Sequence, residues 1–275
     1  MSSRLLYKGT VLLGLPILLT ALTLSGCNVV SSASAAYQQP PAGMSGNWQI
    51  QTGSAITPGP KGAVFLAGAV EMQGSQATAT LATDAICGVQ PVANYTGTFN
   101  DTTGVLTLTN TQPPAAVTVS LAVPPDTTTL SVGTIGASGI VCALAMAPTA
   151  SVGVQIPPLT GTYTGTIQDT APTPAPGVKP GTATLTLTQS TTPNTNAQFP
   201  LTGTFQFTSS DCSASVPVAG TISGVAFTLA STGSTAVTIS GADASGGTAL
   251  TINDVYFPNG PCPGFAMYSG TLNLQ

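Results

Sequence analysis

From residue 46 onward the chain is dominated by alternation. Over residues 159–167, Leu159, Gly161, Tyr163, Gly165 and Ile167 share one face, while Thr160, Thr162, Thr164 and Thr166 share the other. A period of two marks a strand with one buried side. Leu201, Gly203, Phe205 and Phe207 alternate in the same way with Thr202, Thr204, Gln206 and Thr208, and Ala183, Leu185 and Leu187 alternate with threonines over 182–188. Threonine is β-branched and suits the solvent side of a pleat. Glycines set among large inward residues suit strands that coil sharply. The pattern predicts about eight short strands in each half, separated by turns such as 100–104 and 243–247. Nothing longer than a turn carries a helical period.

The chain also repeats itself. Residues 116–120 (AVTVS) match 236–240 (AVTIS) at an offset of 120, and Cys142 matches Cys262 at the same offset. Residues 95–99 followed by Gly104 align with 218–222 followed by Gly224, Cys87 aligns with Cys212 at 125, and Gly46-Asn47-Trp48 aligns with Gly161-Thr162-Tyr163 at 115. Loop insertions produce such a drift, so the reading is an all-β chain of two tandem antiparallel domains, residues 46–155 and 159–275, joined by 156–158. Eight strands in so short a domain fit a small up-and-down barrel, in which the last strand closes on the first. Closure matters because only 4% of the residues are charged, too few to guard open sheet edges against pairing with other chains. An immunoglobulin-like sandwich is the alternative, since cysteines about fifty residues apart also suit that fold. Against it, Trp48 precedes Cys87 and does not lie between the cysteines.

The N-terminus is of another kind. Arg4 and Lys8 precede an apolar run over 10–24 that is short for a membrane span and fits a secretory signal. The run ends in Leu24-Ser25-Gly26-Cys27, which resembles the lipobox of bacterial lipoprotein signal peptides. The resemblance implies removal of residues 1–26, acylation of Cys27 by fatty acids such as palmitate, and anchorage in membrane lipid. Asn28 in the next position implies, on the same resemblance, the outer membrane or cell surface. Residues 27–45, rich in Ser, Ala, Gln and Pro, read as a flexible tether. Gly46-Asn47-Trp48, with Gly161-Thr162-Tyr163, resembles the G-x-W start of lipocalin- and avidin-type barrels and places Trp48 and Tyr163 in the barrel interiors.

Charge and candidate chemistry narrow the function. Loss of the signal leaves two lysines against eight acids, a net charge of −6, with no histidine. That balance lacks the basic footprint of nucleic-acid binding and the usual general base and metal ligand, so neither enzyme, metal site nor cofactor is expected. Once Cys27 is lipidated four cysteines remain, and the repeat pairs Cys87 with Cys142 and Cys212 with Cys262, since only this pairing gives each copy the same bond. Lys61 and Lys179 occupy matching proline-rich loops and form a candidate binding rim for an anionic partner. The acids are mostly single and near turns, where Asp has its own structural use. The expectation is an envelope lipoprotein acting as a structural or interaction module. The alternative is a carrier of a small apolar ligand inside a barrel. Phe199, Phe205, Phe207 and Phe227 are expected to fill the second domain, whereas the first offers Trp48, Phe65, Tyr95 and Phe99, so a ligand would sit in the first.

Overall fold

The computed structural model of the chain describes residues 43–57, 64–85, 88–110, 115–141, 144–170, 179–243, 245–258, 262 and 267–275. Every regular element among them is a strand. The first eight are β1 (Gly46–Thr52), β2 (Val64–Gln73), β3 (Gln76–Ala85), β4 (Gly88–Asn100), β5 (Val105–Asn110), β6 (Ala115–Ala122), β7 (Ser131–Val141) and β8 (Leu144–Ile156). The second eight are β9 (Gly161–Asp169), β10 (Gly181–Gln189), β11 (Phe199–Thr208), β12 (Ser213–Ser223), β13 (Ala226–Ser231), β14 (Thr238–Asp243), β15 (Ala249–Tyr256) and β16 (Met267–Leu274). Each set pairs antiparallel with its sequence neighbours and closes, β8 onto β1 and β16 onto β9. The fold is therefore two tandem eight-stranded up-and-down barrels. Full closure leaves neither sheet an unpaired edge, which compensates for the scarcity of charge.

The alternation decides what each barrel encloses. On β10 the burial alternates strictly through Gly181, Ala183, Leu185 and Leu187 inward and Thr182, Thr184, Thr186 and Thr188 outward. The threonines of neighbouring strands stand opposite one another, as in Thr164 with Thr184 and Thr186 with Thr204. Inward glycines allow the coiling: a Cβ on Gly203 would lie 1.9 Å from the Thr186 carbonyl oxygen on the adjacent strand, so a side chain there would push the two strands apart. β2 breaks the alternation because both of its faces are covered. Val64, Leu66 and Val70 join the first core, while Ala69 belongs to the core of the second barrel.

We call the end at which β1 and β9 begin the base and the opposite end the mouth. The first barrel is stoppered at its base by Met44, at the end of the expected tether, which is buried and whose carbonyl accepts the Trp48 indole N–H at 2.7 Å. Gln155 completes that base, donating from Nε2 to the carbonyls of Gly43 and Ser45 and accepting the Thr127 hydroxyl at Oε1.

Candidate functional site

The outer face of β1 carries Asn47, Gln49 and Gln51 where β9, its counterpart, carries threonines. All three are buried, because the base of the second barrel sits on this wall. Asn47 forms a paired amide contact with the β12–β13 turn, donating from Nδ2 to the Gly224 carbonyl at 2.8 Å and accepting the Gly224 N–H at 2.9 Å. Gln49 accepts the Val225 N–H at 2.9 Å and donates to Gln51 and to the Thr57 carbonyl. Gln51 ties down the segment after β1 through the Ala55 carbonyl. Gly224 is required here: its φ is +57°, and a Cβ would lie 2.5 Å from Gln49 Oε1. Around this polar centre Ile56, Ala69, Val154 and Ile156 of the first barrel pack into the second barrel's core. Every amide at the joint has a partner, so burial there does not carry the cost of an unmet hydrogen bond.

Two clefts flank the joint. One, of about 440 Å³, is lined by Gly46, Ala69, Glu71, Thr191, Pro193 and Phe199. The other, of about 400 Å³, is lined by Val154, Gln155, Pro157, Asp243, Ser245 and Gly246. Asp243 is buried, and its carboxylate accepts the N–H groups of Ser245 at 3.1 Å and Gly247 at 2.7 Å. That engagement makes it the organiser of its own turn. Among the described residues no group of three His, Cys, Asp or Glu is placed to hold a metal ion.

The two interiors differ most at the mouth. In the second barrel Phe205, Phe207, Phe257 and Tyr268 form a cluster with ring centroids 4.8–6.4 Å apart, the spacing of favourable aromatic packing. Cys212 and Cys262 are joined beside it as a disulfide, with Cα atoms 5.1 Å apart. Burial, then the carboxylates of Asp169 and Asp211, raise the pKa of Tyr268 above its ordinary value. The register shows what the first barrel has at the same places. Trp48 pairs with Gly68 and Gly68 with Leu81, while Tyr163 pairs with Leu185 and Leu185 with Phe205. Leu81 therefore corresponds to Phe205 and Thr83 to Phe207. Followed the other way round the barrel, Thr149 corresponds to Tyr268 and Ala137 to Phe257.

At these four positions the first barrel thus carries one leucine and three small side chains, while Val64 and Leu66 stand where the second barrel has Gly181 and Ala183. Thr83 and Asn110 are buried beside the Tyr95 hydroxyl, whose pKa is raised by burial against the opposing pull of those two side chains. Neither gives the Tyr95 oxygen a hydrogen bond of good geometry, and the buried hydroxyls of Ser131 and Ser151 likewise have no partner. Thr149, in contrast to its counterpart Tyr268, is exposed.

Of the residues singled out by sequence, Trp48 and Tyr163 lie fully buried inside the first and second barrels, and Tyr163 donates its hydroxyl to the Gly247 carbonyl at 3.1 Å. The Cys212–Cys262 bond is present. Cys27, Cys87, Cys142 and Lys61 lie outside the described residues. Lys179 is exposed, and because Lys61 is outside the described residues the expected rim of two lysines falls outside them as well. Phe65 requires a correction: it stands opposite Gln51 on the outer face of the first barrel and is not an interior residue. The amide row of β1 was missed, although its signal was present, since Asn and Gln replace the threonine that every comparable outward position carries in the second copy.

The chain matches no family model and no curated protein. Its class is defined by its own architecture, a tandem pair of closed eight-stranded barrels locked base to wall.

Proposed function

We propose that this chain is a non-catalytic, membrane-anchored protein of the cell envelope, held by acylated Cys27 at the outer membrane or cell surface. Its two-barrel body serves as a structural or interaction module. The observation that carries the reading is the joint. Paired amide contacts between Asn47 and Gly224, backed by Gln49, fix one barrel on the other, so a partner engaging either barrel is held in a set position relative to the second. The outward threonine rows leave most of the surface hydroxylated and uncharged, which suits contact with neutral envelope components more than with polyanions.

Two measurements test this reading. Cys27→Ser should move the protein out of the detergent phase and out of the membrane fraction; retention in both overturns the lipid anchor. Cross-linking in cells should recover a defined envelope partner, and recovery should fall when Asn47→Ala and Gln49→Ala loosen the joint. Recovery of nothing above background overturns the interaction role.

A further inference from the structure

We infer that Leu130 and Val132, on the outer wall of the first barrel beside the point where the chain from Cys27 enters, form a patch that rests on the bilayer surface, with zwitterionic lipid as its partner; this rests on the lipid anchor proposed above. Among the described residues four large apolar side chains are exposed, Leu130 (38%), Val132 (58%), Met267 and Leu274. The last two stand at opposite ends of β16. Leu130 and Val132 flank the inward, buried Ser131 and so share one face. The exposed Ala122 of β6 pairs with Val132 and extends the patch. β6, β7 and β8 contain no charged residue along their whole length.

The second barrel shows that the fold does not call for these side chains. Counted from the closing pairs of Trp48 with Gln155 and Tyr163 with Leu274, Thr251 corresponds to Val132 and Thr271 to Val152. Hydroxyls serve at both outward places in one copy, and valines stand there in the other. Val152 is buried and borders Gln51 of the joint, whereas Val132, one strand further from the joint, is open.

What covers the patch follows from where the chain leads. Gln155 donates from Nε2 to the carbonyl of Gly43, accepts the Thr127 hydroxyl at Oε1, and donates its backbone N–H to the Thr127 carbonyl at 3.2 Å. One residue thus fixes both the entering chain and the loop that ends at Leu130. Fifteen residues, 28–42, separate Cys27 from Gly43, which keeps the body within about 55 Å of the bilayer even at full extension. Two side chains are too small a contact to hold a free protein, but an anchor makes the contact intramolecular and raises its effective concentration. Charge sets the headgroup preference. Glu71, Asp101 and Asp126 lie at the base end of the first barrel, and no described Lys or Arg accompanies them there, which disfavours an anionic leaflet.

The test places the full acylated chain in phosphatidylcholine vesicles that contain brominated lipid and reads tryptophan quenching. Val132→Trp and Leu130→Trp, made separately, should both be quenched strongly. Trp48, which is buried, and Thr186→Trp on the outer wall of the second barrel should be quenched little. Exchange of part of the phosphatidylcholine for phosphatidylglycerol at low salt should reduce quenching at 130 and 132 about twofold. The patch alone is overturned, with the anchor left standing, if 130 and 132 are quenched no more than 186 in acylated protein. Stronger quenching with phosphatidylglycerol overturns the zwitterionic preference. Mass spectrometry that finds no acyl group on Cys27 overturns the anchor and the patch together. A dimer of the Cys27→Ser chain in sedimentation that is lost on Leu130→Ser with Val132→Thr assigns this face to a second copy and overturns the lipid contact.

Discussion

Phe207 in the second barrel and Thr83 in the first occupy one place in one register, yet the first is a ring in a four-membered cluster and the second a hydroxyl beside an unpartnered tyrosine. The second barrel spends its mouth on stability: aromatic packing inside and a disulfide at the rim. The first keeps a Trp48 and Phe99 core lower down, and sets Val64, Leu66 and Tyr95 where the second has Gly181, Ala183 and Val218. A duplicated fold that retains its strand pairing while its two interiors diverge shows that one register accepts two different distributions of bulk.

The sharpest way to break this comparison is to remove a ring. Phe207→Ala should cost about 3–5 kcal/mol, seen as an early loss of β-sheet circular dichroism while Trp48 emission stays native. Simultaneous loss of both signals would show that the barrels unfold as one unit. Removing the disulfide by Cys212→Ala with Cys262→Ala should cost about 4 kcal/mol by the entropy of a loop of 50 residues, again with Trp48 silent. At the joint, Asn47→Ala orphans the buried carbonyl and N–H of Gly224, and a loss of about 1–3 kcal/mol should appear as separation of the two barrels' calorimetric transitions.

Alkaline pH distinguishes the copies more gently. Burial raises the pKa of Tyr95 in the first barrel and of Tyr163 and Tyr268 in the second. Above the ordinary tyrosine value of about 10 the unfolded chain therefore holds fewer protons than the folded one, and stability falls as pH rises. Tyr95→Phe should raise the alkaline midpoint read by Trp48 and leave tyrosinate formation in the second barrel unchanged. The smallest effect belongs to Lys179→Ala, expected within about 0.5 kcal/mol of the parent in denaturant melts, because its side chain is exposed.

Much of the fold was legible in the sequence because alternation and duplication reinforce each other. Threonine-rich outward rows on β9, β10 and β11 fix which residues share a face, and the repeat offset assigns Cys212 to Cys262 without reference to space. Period two does not say which of two apolar faces looks inward. That is why Phe65 was misplaced: it stands in the run Val64-Phe65-Leu66-Ala67, where both faces of β2 are buried and no polar residue marks the outside. Phe257 and Tyr268 were passed over for a related reason. The first lies just beyond a strand and the second follows a bulged pairing between β15 and β16, where counting by twos loses its phase. The polar group around Tyr95 joins Thr83, Tyr95 and Asn110 from three strands, and only the closed register brings them together.

The amide-rich joint also bears on how such a protein can be made. A chain delivered N-terminus first completes its first barrel before the last strand of the second is available. Until then the wall that will seat the second barrel faces water. A purely aliphatic seat would be an adhesive surface at that stage, whereas Asn47, Gln49 and Gln51 stay hydrated until Gly224 and Val225 arrive to replace that water. The joint is thus suited to waiting: the amides keep the centre of its aliphatic seat solvated while half built, and make it specific once the second barrel docks.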